Sequence, residues 1–96
     1  MKKEHISLLA CVYDFLPLEV IAFEEKDKEI VTGILVCKNC KHWYPIQNGI
    51  PQMLPDTYRT PEDIVFLKTW KDKILLDILE NGLPYNIAKE MKTNAI

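Results

Sequence analysis

Apolar residues along the chain change their spacing twice, and each change marks a different kind of element. Residues 18–24 and 29–37 are runs of Val, Ile, Leu and Phe flanking the charged Glu25-Lys26-Asp27-Lys28, so they read as two strands joined by a solvated hairpin turn. In the second run both alternating sets are largely apolar: Ile30, Thr32, Ile34 and Val36 on one face, Val31, Gly33 and Leu35 on the other. A strand apolar on both sides is covered on both sides. Residues 41–47 and 50–55 flank Asn48-Gly49, a dipeptide suited to the positive φ angles of a two-residue turn, and predict a second hairpin. Pro45, Pro51 and Pro55 lack an amide donor, which places these segments at a sheet edge. The period then becomes helical. Thr60-Pro61-Glu62-Asp63 carries a capping hydroxyl, a proline where the missing N–H costs nothing, and acids at the positive end of the dipole. Ile64, Leu67, Trp70 or Lys71, Ile74 and Ile78 follow at helical spacing as far as Asn81-Gly82, in one helix or in two broken near Lys73. Residues 5–10 predict a short helix, and 83–87 an irregular segment packed back on the core.

The expected fold is therefore α+β: a small antiparallel β core with a short N-terminal helix and a C-terminal helical extension. At 96 residues, 48% hydrophobic and 27% charged, the chain suits one domain, with the β core in 1–59, the extension in 60–87 and a fraying tail in 88–96. No apolar run nears the roughly 20 residues that span a bilayer, and Met1-Lys2-Lys3-Glu4-His5 opens no signal peptide, so a cytoplasmic protein is expected. A net charge of −2, from 12 basic and 14 acidic residues, leaves no positive field for a phosphate backbone. No glycine-rich phosphate loop, serine elbow or paired-carboxylate cleft appears, and no catalytic residue is proposed.

Two of the three cysteines form Cys37-Lys38-Asn39-Cys40, half of a zinc-ribbon site. The other half would be Cys11-Val12-Tyr13-Asp14, where the spacing is kept but a carboxylate stands in the second position. Cys11, Asp14, Cys37 and Cys40 are thus the candidate metal ligands, a degenerate set because a hard oxygen replaces a soft thiolate. The alternative is three small buried hydrophobes and a turn aspartate, with no metal. His42 reads as a solvated strand histidine more than as a ligand, His5 has no nucleophile or base nearby, and alternation gives Trp43 and Tyr44 one core and one surface position. Glu24, Glu25, Asp27 and Glu29 belong to a solvated turn.

Leu8-Leu9-Ala10-Cys11, Pro17-Leu18-Glu19, Gly33-Ile34-Leu35-Val36-Cys37-x-x-Cys40 and Trp43-Tyr44-Pro45-Ile46-x-x-Gly49-Ile50-Pro51-x-Met53-Leu54-Pro55 occur in an order that resembles the small zinc-ribbon activator subunits of tRNA, rRNA and release-factor methyltransferases. Residues 61–87 look like the helical extension of archaeal members; the short gap from Asp14 to Cys37 leaves no room for the insertion of eukaryotic relatives. The resemblance implies a non-catalytic subunit that binds no S-adenosylmethionine itself, forms a heterodimer with a methyltransferase by adding its edge strand to the enzyme's sheet, and meets RNA only through that complex. It implies zinc at the four ligands, but Asp14 departs from the family's cysteine, and some relatives have lost the ligands, so partner binding should survive metal loss. The residues agree independently: a proline-marked edge with Ile46, Ile50, Pro51, Met53 and Leu54 is equipped for strand addition, although Met53 and Leu54 would also suit the chain's own core. Two other readings remain: a free-standing zinc-ribbon module touching RNA through Lys38, Lys41, His42 and Trp43, and a redox pair at Cys37 and Cys40.

Overall fold

The computed structural model describes residues 1–88, and most of the tail expected to fray lies outside them. Four strands, β1 (Glu19–Lys26), β2 (Glu29–Val36), β3 (Trp43–Gln47) and β4 (Ile50–Pro51), form one antiparallel sheet in the order β1-β2-β3-β4. Two helices follow, α1 (Glu62–Thr69) and α2 (Leu76–Asn81). The architecture is the expected α+β arrangement. The N-terminal element is a 3-10 helix, Lys3–Leu8, and Met1 is tied to β2 by hydrogen bonds in both directions with Ile30.

Both hairpins turn on two left-handed residues. Asn48 (φ 52°) and Gly49 (φ 75°) fit their chemistry, whereas Asp27 (φ 52°) and Lys28 (φ 67°) hold the same geometry without glycine. The β1–β2 register shifts between Ala22 and Glu24 and again between Glu24 and Glu25, opposite Thr32 and Ile30. A bulge reverses which face a side chain takes. Ile30, grouped by strict alternation with Ile34 and Val36, therefore joins Leu35 on the opposite face. Gly33 sits at the closest approach of the two strands: a Cβ there would lie 2.6 Å from the Ile21 carbonyl oxygen.

Each face has its own core. One is Phe23, Ile34, Val36 and Trp43 packed against Phe66, Leu67, Ile74, Ile78, Leu79 and Ile87 of the helical extension. The other is Cys11, Leu18, Ile30, Leu35, Cys37, Tyr44 and Ile46. Because both faces are covered, Trp43 and Tyr44 are both fully buried, against the expected alternation of core and surface. Pro45 is also buried, in the inner strand β3 and not at the edge. Its carbonyl accepts the Gln52 N–H, but it has no N–H to return, and β4 ends after two residues. The predicted strand over 50–55 is cut short for that reason.

The helical pattern resolves into two helices. Trp70 stacks on Phe23 with ring centroids 4.9 Å apart, a 3-10 turn takes Lys71–Lys73, and Ile74 is extended and buried. Residues spaced for one helix thus reach the same core from two. At the start of α1 the Asp63 N–H is accepted by the Thr60 carbonyl and not by its hydroxyl. Gly82 ends α2 where a Cβ would lie 2.4 Å from the Ile78 carbonyl oxygen. Among the described residues no helix is long and apolar enough to cross a membrane.

Candidate functional site

The two predicted half-sites fold into matching turns. In the first, the Phe15 N–H donates to the Cys11 carbonyl at 2.9 Å and the Cys11 N–H to the Leu16 carbonyl at 3.0 Å; in the second, Lys41 donates to Cys37 at 2.9 Å and Cys37 to His42 at 2.9 Å. The residue after each second ligand is left-handed, Phe15 at φ 59° and Lys41 at φ 67°. Asp14 therefore occupies the place in its turn that Cys40 occupies in the other. Substitution of the side chain has left the backbone knuckle intact.

Cys11, Asp14, Cys37 and Cys40 come together, with one ligand atom from each lying within 4.8 Å of all the others. Cys11 Sγ is 3.5 Å from Cys40 Sγ, and the Cys37 thiol donates to Asp14 Oδ2 at 3.2 Å. Zinc–sulfur bonds of about 2.3 Å in a tetrahedron separate sulfurs by about 3.8 Å, so the thiol spacing suits such an ion. Backbone N–H groups of Tyr13 and Asp14 point at Cys11 Sγ, those of Asn39 and Cys40 at Cys37 Sγ, and that of His42 at Cys40 Sγ. Donors aimed at sulfur favour thiolates, the form a metal takes. The residues fit the ion.

The groups titrate apart. Burial pushes the Cys11 thiol up, but the Tyr44 hydroxyl and the backbone donors outweigh it and hold Cys11 below its ordinary value. Burial raises Cys37, and brings Cys40 up to about 12. The Asn39 amide, then the Leu16 N–H, hold the Asp14 carboxyl well below the usual carboxylate range. Raised thiols at Cys37 and Cys40 are the opposite of what a redox pair needs.

His42 is 8% exposed, not solvated. Its Nδ1 is 3.1 Å from Cys40 Sγ, its Nε2 is 3.2 Å from Asp56 Oδ2, and its ring stacks on Tyr13 at a centroid distance of 4.2 Å. With a neutral ring the Cys40 thiol donates to Nδ1 and Nε2–H donates to Asp56. The Asp56 N–H donates to the Tyr13 hydroxyl at 2.6 Å. This cluster escaped sequence reading, as did Arg59. That guanidinium is buried over the Trp43 ring, donates to the Trp43 carbonyl and to Asp63, and leaves Nη2 without a partner. Its only sequence signal was the i, i+4 spacing from Asp63, which surface pairs share.

Of the edge residues, Ile46 is fully buried inside the chain's own core and has no surface to offer, because β3 is inner and covered on both faces. Ile50 is 63% exposed and Leu54 42%, while Pro51 and Met53 are half-buried, Met53 against the thiol-side core. The residues of the RNA-contact reading are dispersed: Trp43 and His42 are buried, Lys41 pairs with Asp77, and Lys38 with Glu19.

The family described as Trm112p-like protein matches residues 2–49, half of the chain and both knuckles. A solved chain from the complex between the Haloferax volcanii Trm112 methyltransferase activator and a methyltransferase is 34% identical, with a TM-score of 0.59 over 62% of this chain and 100% of that one. No curated protein matches the chain. Sequence match, paired knuckles and sheet thus agree, and the chain belongs to the Trm112p-like family.

Proposed function

We propose that this chain is a non-catalytic activator subunit that binds and stabilises an S-adenosylmethionine-dependent methyltransferase acting on tRNA, rRNA or a translation release factor. The observation that carries the reading is the sheet's terminal edge at β4, where Ile50, Leu54 and Tyr58 stand exposed beside the paired knuckles of a chain similar to an activator solved with a methyltransferase. Apolar side chains of this size rarely cluster on a surface that meets only water. Pro51 is on the outer side of β4, since the Gln52 N–H beside it points inward to Pro45. An incoming strand would therefore donate to the Pro51 carbonyl, while the missing N–H discourages pairing with a second copy.

Zinc, held by Cys11, Asp14, Cys37 and Cys40, would join the two knuckles as a structural ion. The chain's own contribution is to exclude water from three thiols and supply backbone donors to their sulfurs. The docking edge lies on β4 and the loop after it, and RNA is met only through the assembled pair.

Co-expression with each methyltransferase of the source organism tests the proposal. The expected result is a 1:1 complex by size exclusion and more soluble enzyme, with Ile50→Asp and Leu54→Asp weakening the complex and Val65→Asp on α1 leaving it intact. A chain that stays monomeric with every enzyme and leaves their solubility unchanged would show the reading to be wrong.

A further inference from the structure

We propose that Asp56 links the four-ligand cluster to the docking edge, so that metal loading sets the pose of residues 54–58. The inference deepens the reading of that edge as the methyltransferase contact, and rests on it.

Residues 54–58 are all exposed. Their own hydrogen bonds are local: Leu54 N–H to the Gln52 carbonyl, and Tyr58 N–H to the Pro55 carbonyl. Beyond the Arg59 N–H that closes the turn on the Asp56 carbonyl, the hydrogen bonds that tie this stretch to distant parts of the described chain are both at Asp56, whose N–H reaches the Tyr13 hydroxyl and whose carboxylate takes His42 Nε2. The two arms come from different knuckles. Tyr13 lies between Cys11 and Asp14, and His42 touches Cys40 Sγ through Nδ1. Their rings stack with 25° between planes, so the stack is a measure of how the knuckles stand to each other.

A segment without buried apolar anchors takes its position from the few bonds it makes, and opens at low cost when they loosen. An ion bridging Cys11 and Asp14 to Cys37 and Cys40 fixes the spacing of the knuckles, hence of Tyr13 and His42, and hence of Asp56 with Leu54 and Tyr58 on either side. Metal loss leaves the sheet and its edge in place but frees the loop. Metal occupancy then adjusts partner affinity without being required for it.

Amide exchange on the full chain, metal-free and after titration with zinc chloride to one equivalent, tests the link. Zinc should slow exchange over 54–58 by about tenfold while leaving α1 and α2 unchanged. Tyr13→Phe with Asp56→Ala should bind zinc with the same stoichiometry and lose that response. His42→Asn places an amide nitrogen where Nδ1 meets Cys40 but falls short of Asp56; it should keep zinc and lose part of the response. In the wild type, zinc should tighten methyltransferase binding several-fold, and in the double variant it should not. A wild-type chain that takes no zinc, a zinc-loaded chain whose loop exchanges as fast as the metal-free one, or a double variant that responds like the wild type overturns the proposal. The docking reading fails separately, by normal methyltransferase binding of Ile50→Asp.

Discussion

On one face of the sheet Trp43 stacks on Phe66 with ring centroids 5.8 Å apart, Phe23 stacks on Trp70, and Leu67, Ile78 and Ile87 fill the space between; on the other face Leu18, Ile30, Leu35 and Ile46 surround three thiols, a tyrosine hydroxyl and a carboxylate. The first core is closed by volume. Its buried charges, Arg59 and Asp63, pair with each other, and Arg59 also donates to the Trp43 carbonyl. The second is closed by donors that hydrogen-bond one another and would hold an ion better. Loss of volume should therefore unfold the molecule whatever the metal, whereas changes at the ligands should act mostly through the metal.

The largest expected effect is on the volume-closed face. Trp43→Ala removes a fully buried ring, its Nε1–H bond to the Tyr85 carbonyl and the surface under Arg59. A loss of about 3–5 kcal/mol is expected by urea denaturation. Zinc should not restore it. Full rescue by zinc would mean that the two faces are not independent, and would break the comparison.

Next in size is the completion of the donor set. Because the Asp14 knuckle has the same backbone bonds as the Cys40 knuckle, Asp14→Cys needs no rearrangement of the chain. It should raise zinc affinity on the order of tenfold, about 1.4 kcal/mol, in chelator competition. Since Cys37 and Cys40 are raised, zinc uptake should release protons and strengthen as the pH rises. An affinity unchanged by Asp14→Cys would show that Asp14 lies outside the coordination sphere.

What was legible in the sequence divides along the same line. The β-branched runs, Asn48-Gly49, the Thr60-Pro61 helix start and the Cys-x-x-Cys spacing are local patterns, and each marked its element or ligand. The face of Ile30 was not legible, because the register shift that leaves Val31 unpaired, which no periodic rule records, intervenes between it and Ile34. Nor were Arg59 and the Tyr13–His42–Asp56 cluster. Each joins residues far apart in the chain, 43 positions for Tyr13 and Asp56, and single polar residues at such separations leave no local trace. Ile46 looked like an edge residue because Pro45 beside it marks edges, but the donorless nitrogen of Pro45 lies where β4 has already ended.

A smaller effect concerns pH without metal. The Asp14 carboxyl is depressed below its ordinary 3.8 by Asn39 and Leu16. A depressed carboxylate is proton-free in the fold at a pH where the unfolded chain has begun to take up its proton. Its stabilisation is thus complete above 3.8 and declines as the pH falls below that value. Asp14→Asn should flatten that part of the acid limb of the metal-free stability profile, and an unchanged limb would assign the slope to other groups.

The smallest effect separates the knuckles from each other. Phe15 and Lys41 hold the same left-handed conformation after the second ligand, which costs a side-chain-bearing residue roughly 1–2 kcal/mol. Glycine would relieve that strain and lose some of the gain to its greater freedom when unfolded, about 0.5–1 kcal/mol. Phe15 is 78% exposed and packs on little, so Phe15→Gly should stabilise the metal-free chain by about 0.5–1 kcal/mol. Lys41 also pairs with Asp77 on α2, an exposed ion pair worth about 0.2–1 kcal/mol. Lys41→Gly removes that pair, and its net change should be near zero. Chemical denaturation of the two variants at low and high salt checks the argument, because screening the ion pair should bring the Lys41→Gly effect up toward that of Phe15→Gly. If Phe15→Gly instead destabilises the chain, the aromatic ring is packed in solution, and the two knuckles differ in more than one ligand.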